Sequence, residues 1–231
     1  METPRTYRLE RWIAFLLALL FFLPFVANAD ELAYTDTFRA SEVRHRSGEQ
    51  FLALAGSRLE PVTIRVTAAR DPFEDAEGKT TGKRIEAGPY EDAFLLRSSR
   101  LKAGPVTLAS PHATENPLAT PLTITLGNTH ATLDYRCGDA PDPDGLVSCA
   151  LVLESGGTTQ VLAEVFAFFE ARHDLQVYYA FAGDLDRDGK LDLIIDISVD
   201  EHEWHPALFL SSAAREGELV TKVAEIVSAG C

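Results

Sequence analysis

Four aspartates alternate with other residues around one glycine between positions 184 and 192, a pattern with a clear chemical meaning. In a tightly turning loop, every second side chain can point to one centre, and Ca²⁺ accepts oxygen ligands at about 2.3–2.6 Å with loose geometry. The run contains no sulfur or imidazole group, so Zn²⁺ and Cu²⁺ fit it poorly. We therefore predict a calcium site formed by the carboxylates of Asp184, Asp186 and Asp188, the backbone carbonyl of Lys190, and Asp192, directly or through water.

The segments on both sides of this loop predict strands rather than helices. Residues 176–182 and 191–199 are rich in aromatic and β-branched side chains. The loop has the spacing of the first part of an EF-hand loop, but Ile195 stands where an EF-hand requires a bidentate glutamate. The predicted unit is therefore a strand, a calcium loop at 184–192 and a second strand.

This strand–DxDxDGxxDL–strand unit resembles the FG-GAP calcium loop of integrin-α-type β-propeller repeats over positions 177–197. The resemblance implies the same five ligand residues and a calcium loop carried by a β-sheet. The chain contains a single copy of the motif, and as a whole it resembles small bacterial secreted proteins with one such loop near the C-terminus. The alternative is a solvated Asp/Gly turn, in which the repulsion between four carboxylates would not be offset by a cation.

A second polar cluster, DEHEWH, occupies positions 200–205. His202, Glu203 and His205 could hold a metal such as Zn²⁺, but only two residues separate the histidines, so this is not the HExxH motif. The favoured interpretation is a polar loop beside the calcium site, from which Glu201 or Glu203 could reach the ion.

Residues 1–29 have the features of a secretory signal peptide. Three arginines precede an apolar stretch at 12–26, and Ala27-Asn28-Ala29 fits a cleavage site. The apolar stretch is shorter than the roughly 20 residues that a membrane-spanning helix needs. We expect a mature chain that starts at Asp30, is secreted or periplasmic, and is not attached to a membrane after cleavage.

The 231-residue chain has 35 acidic and 21 basic residues, a formal net charge of −14. Such a surface repels nucleic acid and anionic membranes and attracts cations. We therefore expect the calcium ion as a partner, together with an unidentified protein or cell-surface partner.

Three cysteines are present, and an exported protein can form disulfides. Cys137 and Cys149 flank a segment rich in turn-forming residues, including Asp139, Asp142 and Asp144, which we interpret as turn residues. We predict a Cys137–Cys149 disulfide with Cys231 left over, although three cysteines leave the connectivity open.

The rest of the chain predicts a mainly β fold, either an antiparallel sandwich or an incomplete propeller-like sheet with few helices, in one domain over 30–231. Gly127-Asn128 and Gly156-Gly157 each predict a hairpin, although residues 160–169 also fit a helical face. We expect a short helix near 41–46, a long exposed loop or irregular hairpin over 70–92, and a proline-rich extended connector over 104–121.

These features favour a secreted or periplasmic domain in which calcium is structural. The alternatives are a calcium-dependent adhesion or protein-interaction module and a secreted hydrolase that uses calcium as a scaffold. The sequence contains no GxSxG, P-loop or GxGxxG motif. A carboxylate pair for glycosidase chemistry needs no fixed spacing, so the hydrolase alternative stays open.

Overall fold

The computed structural model describes residues 29–71, 75–76, 78–113, 118–172, 175–198 and 203–229. Within these ranges the chain is mainly β, and its helical elements are two short 3₁₀ helices, Phe169–Ala171 and Ser211–Ala213. The strands in chain order are β1 (Glu31–Tyr34), β2 (Thr37–Phe38), β3 (Gln50–Ala55), β4 (Arg58–Thr63), β5 (Arg65–Ala69), β6 (Gly82–Glu86), β7 (Phe94–Arg97), β8 (Gly104–Pro105), β9 (Thr107–Leu108), β10 (Leu118–Ala119), β11 (Leu122–Leu126), β12 (Thr129–Cys137), β13 (Leu146–Ser155), β14 (Thr158–Phe168), β15 (Gln176–Val177), β16 (Tyr179–Asp184), β17 (Asp192–Asp196), β18 (Glu203–Trp204), β19 (Pro206–Leu210), β20 (Thr221–Glu225) and β21 (Ser228–Ala229).

The strands form several antiparallel sheets. The central sheet has the order β20-β19-β17-β16-β9, and its β16–β17 hairpin carries the aspartate-rich loop. The other larger sheets are the four-stranded β11-β12-β13-β14, the five-stranded β1-β7-β3-β4-β8 and the three-stranded β2-β6-β5. Two further pairs are formed by β10 with β15 and by β18 with β21.

The central sheet is buried on both faces. Leu193, Ile195 and Phe209 lie in one hydrophobic core with Leu133 and Leu151 of the four-stranded sheet. Because side chains alternate along a strand, their neighbours point the opposite way. Both faces of β17 are buried because its sheet lies between two others.

The opposite face of the central sheet packs on the five-stranded sheet, where Ile194 and Leu208 share a core with Leu59 and Leu96. That sheet in turn packs through its other face on the three-stranded sheet, in a core that includes Leu95 and Ile85. The antiparallel sheets are therefore layered, which fits the predicted β-sandwich.

Most strand predictions are confirmed. The turns at Gly127-Asn128 and Gly156-Gly157 join β11 to β12 and β13 to β14, so residues 160–168 form a strand and not a helix. The region 70–92 contains β6, which pairs with β5 and completes an irregular hairpin. The connector at 104–121 forms only the short strands β8, β9 and β10 in its described residues.

The predicted helix near 41–46 is wrong. The backbone amide of Glu42 bonds to the carbonyl of Arg39, which closes a single turn, and the chain then continues without helical structure. Val43 is buried in the core beside the three-stranded sheet. The carbonyl of Val43 accepts a hydrogen bond from Lys83 Nζ over 3.4 Å, so long-range contacts and not a helical hydrogen-bond ladder hold this segment.

The predicted disulfide between Cys137 and Cys149 is present, where β12 pairs with β13 and the two cysteines are opposite each other. Cys231 and nearly all of the predicted signal peptide lie outside the described residues. The described ranges contain no helix with the length and hydrophobicity of a membrane-spanning segment.

Candidate metal centre

The aspartate-rich loop is held at both ends by the central sheet. Strand β16 ends at Asp184, β17 begins at Asp192, and Gly183 pairs with Asp192 across the hairpin. Gly183 also approaches β9 so closely that a Cβ atom there would lie 2.3 Å from the carbonyl oxygen of Thr107. The backbone that enters the loop is therefore tightly constrained by its neighbours.

The three leading aspartates converge, as predicted. Asp184, Asp186 and Asp188 each offer a carboxylate oxygen, and these oxygens all lie within 4.8 Å of one another. The loop backbone curls around them, since the amides of Asp188 and Gly189 donate to the two oxygens of Asp184 over 3.0 and 3.1 Å. This cluster could hold a metal ion.

One oxygen of the cluster lacks a partner within the described part of the chain. Asp186 Oδ1 accepts a hydrogen bond from the Asp188 amide over 3.2 Å, whereas the buried Oδ2 has no hydrogen-bond partner there. Leaving a buried carboxylate oxygen unpaired is costly. A bound cation would satisfy this oxygen, so the donor set fits a hard divalent ion.

Asp192 holds the loop to the rest of the fold. Its side chain is fully buried, and its Oδ2 accepts hydrogen bonds from the amides of Leu185 and Asp186 over 2.7 and 3.3 Å. Its Oδ1 accepts from the amide and the hydroxyl of Ser211 over 2.7 and 2.8 Å. Both oxygens thus already serve protein donors, and direct coordination by Asp192 remains a prediction.

The buried position of Asp192 changes the pKa of its carboxyl group. Burial, and to a smaller extent the nearby Asp186 carboxylate, raise this pKa to about 7. The hydrogen bonds from Ser211 and from the Leu185 amide lower it and offset part of that rise. A divalent cation in the loop would offset the effect of the Asp186 carboxylate, because an opposite charge favours the ionised form.

Two neighbouring side chains anchor the loop. Leu185 is fully buried in the core between the central and five-stranded sheets. Arg187 adopts a positive φ of 67°, and its guanidinium donates to the carbonyls of Lys102 and Ala103 over 3.0 and 2.9 Å. The charge of Arg187 is therefore directed to a neighbouring loop. Among the described residues, no ion pair involves the three clustered carboxylates.

Ser211 is a site residue that the sequence did not reveal. It begins the second 3₁₀ helix directly after β19, and its hydroxyl also donates to Asp188 Oδ1 over 3.1 Å. Only the pairing of β17 with β19 brings it to the loop. A serine at the end of an apolar strand has no distinguishing pattern by which it could have been found.

Lys190, predicted to ligate through its carbonyl, donates its amide to Asp188 Oδ1 over 2.8 Å. In the second polar cluster, the ring of His205 bonds to Glu225 of β20 over 2.9 Å, and Glu203 belongs to β18. Glu201 and His202 lie outside the described residues. In the described part of this cluster, Glu203 takes part in strand pairing and His205 contacts β20, and neither forms a metal-binding group with the loop.

No protein-family model, curated protein or solved structure matches the chain. The assignment of the site thus depends on its geometry, a carboxylate cluster able to hold a metal in a mainly β fold. The FG-GAP resemblance stays an interpretation of the loop sequence.

Proposed function

We propose that this chain is a secreted or periplasmic calcium-binding β-domain in which Ca²⁺ has a structural role. The observation that carries the proposal is the buried Oδ2 of Asp186, which has no hydrogen-bond partner among the described residues and lies in a group of three converging carboxylates. Since no described residue forms an ion pair with these carboxylates, the loop is expected to gain stability from a cation.

Calcium suits this donor set better than its competitors. All candidate ligands are oxygens, which disfavours thiolate- and imidazole-preferring metals. Mg²⁺ requires tighter octahedral geometry and loses its water reluctantly, whereas Ca²⁺ accommodates irregular loops. The ion would stabilise a hairpin that contacts the 3₁₀ helix after β19 through Ser211 and the segment before β8 through Arg187. These contacts favour a structural role over a catalytic one.

Calorimetry and thermal unfolding of the mature protein test this role. We expect one Ca²⁺ per chain with a dissociation constant of about 10⁻⁴–10⁻³ M, typical of extracellular sites. At ten times that constant, binding stabilises the native state by roughly 1.4 kcal/mol. The melting temperature then rises by about 2–4 °C per kcal/mol, and Mg²⁺ has a smaller effect.

Asp186→Asn is the decisive variant. It should abolish the calcium shift without loss of stability in chelator, because it removes one of three crowded charges and keeps the side-chain size. Asp142→Asn, in the exposed loop between β12 and β13, is the matched control and should keep the full shift. Equal melting temperatures in chelator, Ca²⁺ and Mg²⁺, with no heat of binding, would show that the run is only an acidic turn.

Export is supported by the leader-like N-terminus and by a disulfide, which forms in oxidising compartments. Mass determination of the exported chain should give an N-terminus at Asp30. An intact Met1 in the exported fraction would contradict cleavage.

A second candidate function, a calcium-dependent protein-interaction module, is favoured by the edge strand β14. Its side chains Val161, Phe166 and Phe168 are 53%, 59% and 67% exposed. Exposed apolar groups on a sheet edge are typical of interaction surfaces. Binding of the labelled protein to washed cells, with and without Ca²⁺, tests this role, and Phe166→Ser/Phe168→Ser should reduce the binding.

A further inference from the structure

A second cluster of metal-ligating side chains, made of residues outside the loop, lines a cavity of about 700 Å³. The cavity opens between β1, the segment before β3, and the end of β20 in the central sheet. Part of its wall is apolar, including Phe38, Val43 and Ile226, and part is strongly acidic. It has the size of a small-molecule or ion site rather than of a packing defect.

Three ligand-type side chains meet at the cavity wall. His45 Nδ1 lies 3.6 Å from an oxygen of Glu31 and 3.6 Å from an oxygen of Glu49. The three ligand atoms are all within 4.8 Å of one another. The set differs from the aspartate loop in containing a nitrogen donor, and imidazole with carboxylates suits Zn²⁺ and related divalent metals.

Arg97 supplies the positive charge of this cluster. Its Nη2 pairs with Glu31 and lies 3.0 Å from the Glu49 oxygen, and its guanidinium stacks over the ring of Phe51 at 4.5 Å. The Glu31 and Glu49 oxygens that contact Arg97 are the same ones that face His45. A metal at this position would therefore compete with the guanidinium for two ligands.

Other acidic side chains also line the cavity. Asp30 pairs with Arg100 through Oδ2 over 3.0 Å, and its buried Oδ1 has no hydrogen-bond partner among the described residues. Glu42 and Glu225 line the same space. The acidic side chains thus outnumber the basic ones in a partly enclosed volume, where a cation is electrostatically favoured.

We propose that Glu31, His45 and Glu49 form a binding site for a Zn²⁺-type divalent ion, which displaces Arg97 from the two carboxylates. Three protein ligands leave a coordination position open, as in metal sites that bind water or a small molecule. The adjoining cavity provides room for that additional ligand. The site is independent of the proposed calcium function and uses none of its residues.

Zn²⁺ titration of the intact mature protein by calorimetry, with Co²⁺ absorption as a second readout of nitrogen ligation, tests the site. We expect one equivalent in the wild type. Both His45→Ala and the isosteric Glu49→Gln should weaken it by at least about tenfold, since each removes a ligand. Arg97→Met, which keeps the aliphatic stem and removes the competing charge, should tighten it roughly tenfold.

Controls separate this site from other metal contacts. His205→Ala and Asp186→Asn should leave Zn²⁺ binding unchanged, and equimolar Ca²⁺ should not compete with it. Absence of Zn²⁺ binding in the wild type would overturn the proposal, even if Arg97→Met bound the ion, since the cluster would then be an ion-pair network only. Wild-type binding that survives in both His45→Ala and Glu49→Gln would also overturn it.

Discussion

Two aspartate-rich hairpin loops in this protein have different roles. The first joins β12 to β13 between the disulfide-linked Cys137 and Cys149 and is largely exposed. The second joins β16 to β17 in the central sheet, with Asp184 only 7% exposed and Asp192 fully buried. Similar residue types are thus placed in two very different environments.

In the exposed loop, one aspartate stabilises a turn. Asp142 Oδ1 accepts hydrogen bonds from the amides of Asp144 and Leu146 over 2.9 and 2.8 Å, which confirms its interpretation as a turn residue. In the loop of the central sheet, three carboxylates converge and a fourth connects the loop to Ser211. Only the second loop therefore combines a carboxylate cluster that could hold a metal ion with a buried anchor.

Asp192→Ala should have the largest effect on stability. It removes the acceptor of four hydrogen bonds, three from backbone amides and one from the Ser211 hydroxyl, which keeps Asp188 as an acceptor. Each buried amide left without an acceptor costs about 1–3 kcal/mol, so we expect a total loss of at least about 3 kcal/mol. Urea unfolding in chelator measures it, and a loss below about 1 kcal/mol would contradict the anchoring role.

Removing the disulfide should have the next largest effect. The cysteines are 12 positions apart, and loop-closure entropy predicts a loss of about 3 kcal/mol for Cys137→Ala/Cys149→Ala. The calcium shift in melting temperature should persist in this variant, because the two hairpins are held by different contacts. Its disappearance would show that the loops are coupled.

A matched pair of glycine variants compares the two loops directly. Gly145 and Gly189 have φ angles of 80° and 84°, and a Cβ atom added to either would have open space around it, with nothing within 4 Å. Alanine at either site should therefore cost about 1–2 kcal/mol through backbone conformation alone. Only Gly189→Ala should reduce the calcium shift, and an equal reduction by Gly145→Ala would refute the assignment of the site.

Asp142→Ala should have the smallest effect. Its two hydrogen bonds are exposed, and water can replace the lost acceptor, so we expect a loss of about 0.5–1 kcal/mol. Urea unfolding beside Asp192→Ala gives the comparison. A loss as large as that of Asp192→Ala would mean that burial does not separate the two loops.

Local patterns in the sequence correctly indicated several features. Alternating apolar residues and the turns at Gly127-Asn128 and Gly156-Gly157 predicted hairpins, and the turn-rich segment between Cys137 and Cys149 predicted their pairing. The convergence of Asp184, Asp186 and Asp188 followed from their spacing in a tight loop. These features depend on neighbours in the chain, so their physical causes are visible in the sequence.

Contacts between distant segments could not be predicted in this way. The sequence predicted Asp192 as a metal ligand. Strand pairing brings Ser211 to the Asp192 carboxylate, and these hydrogen bonds make Asp192 an anchor of the loop. Arg97 and Glu31, which are 66 positions apart, meet only because β1 pairs with β7. The sequence by itself determined the strands, their turns and the aspartate loop, since these arise from local backbone preferences. Tertiary structure alone decided which polar groups are buried together, because layering of the sheets controls both burial and the approach of distant side chains.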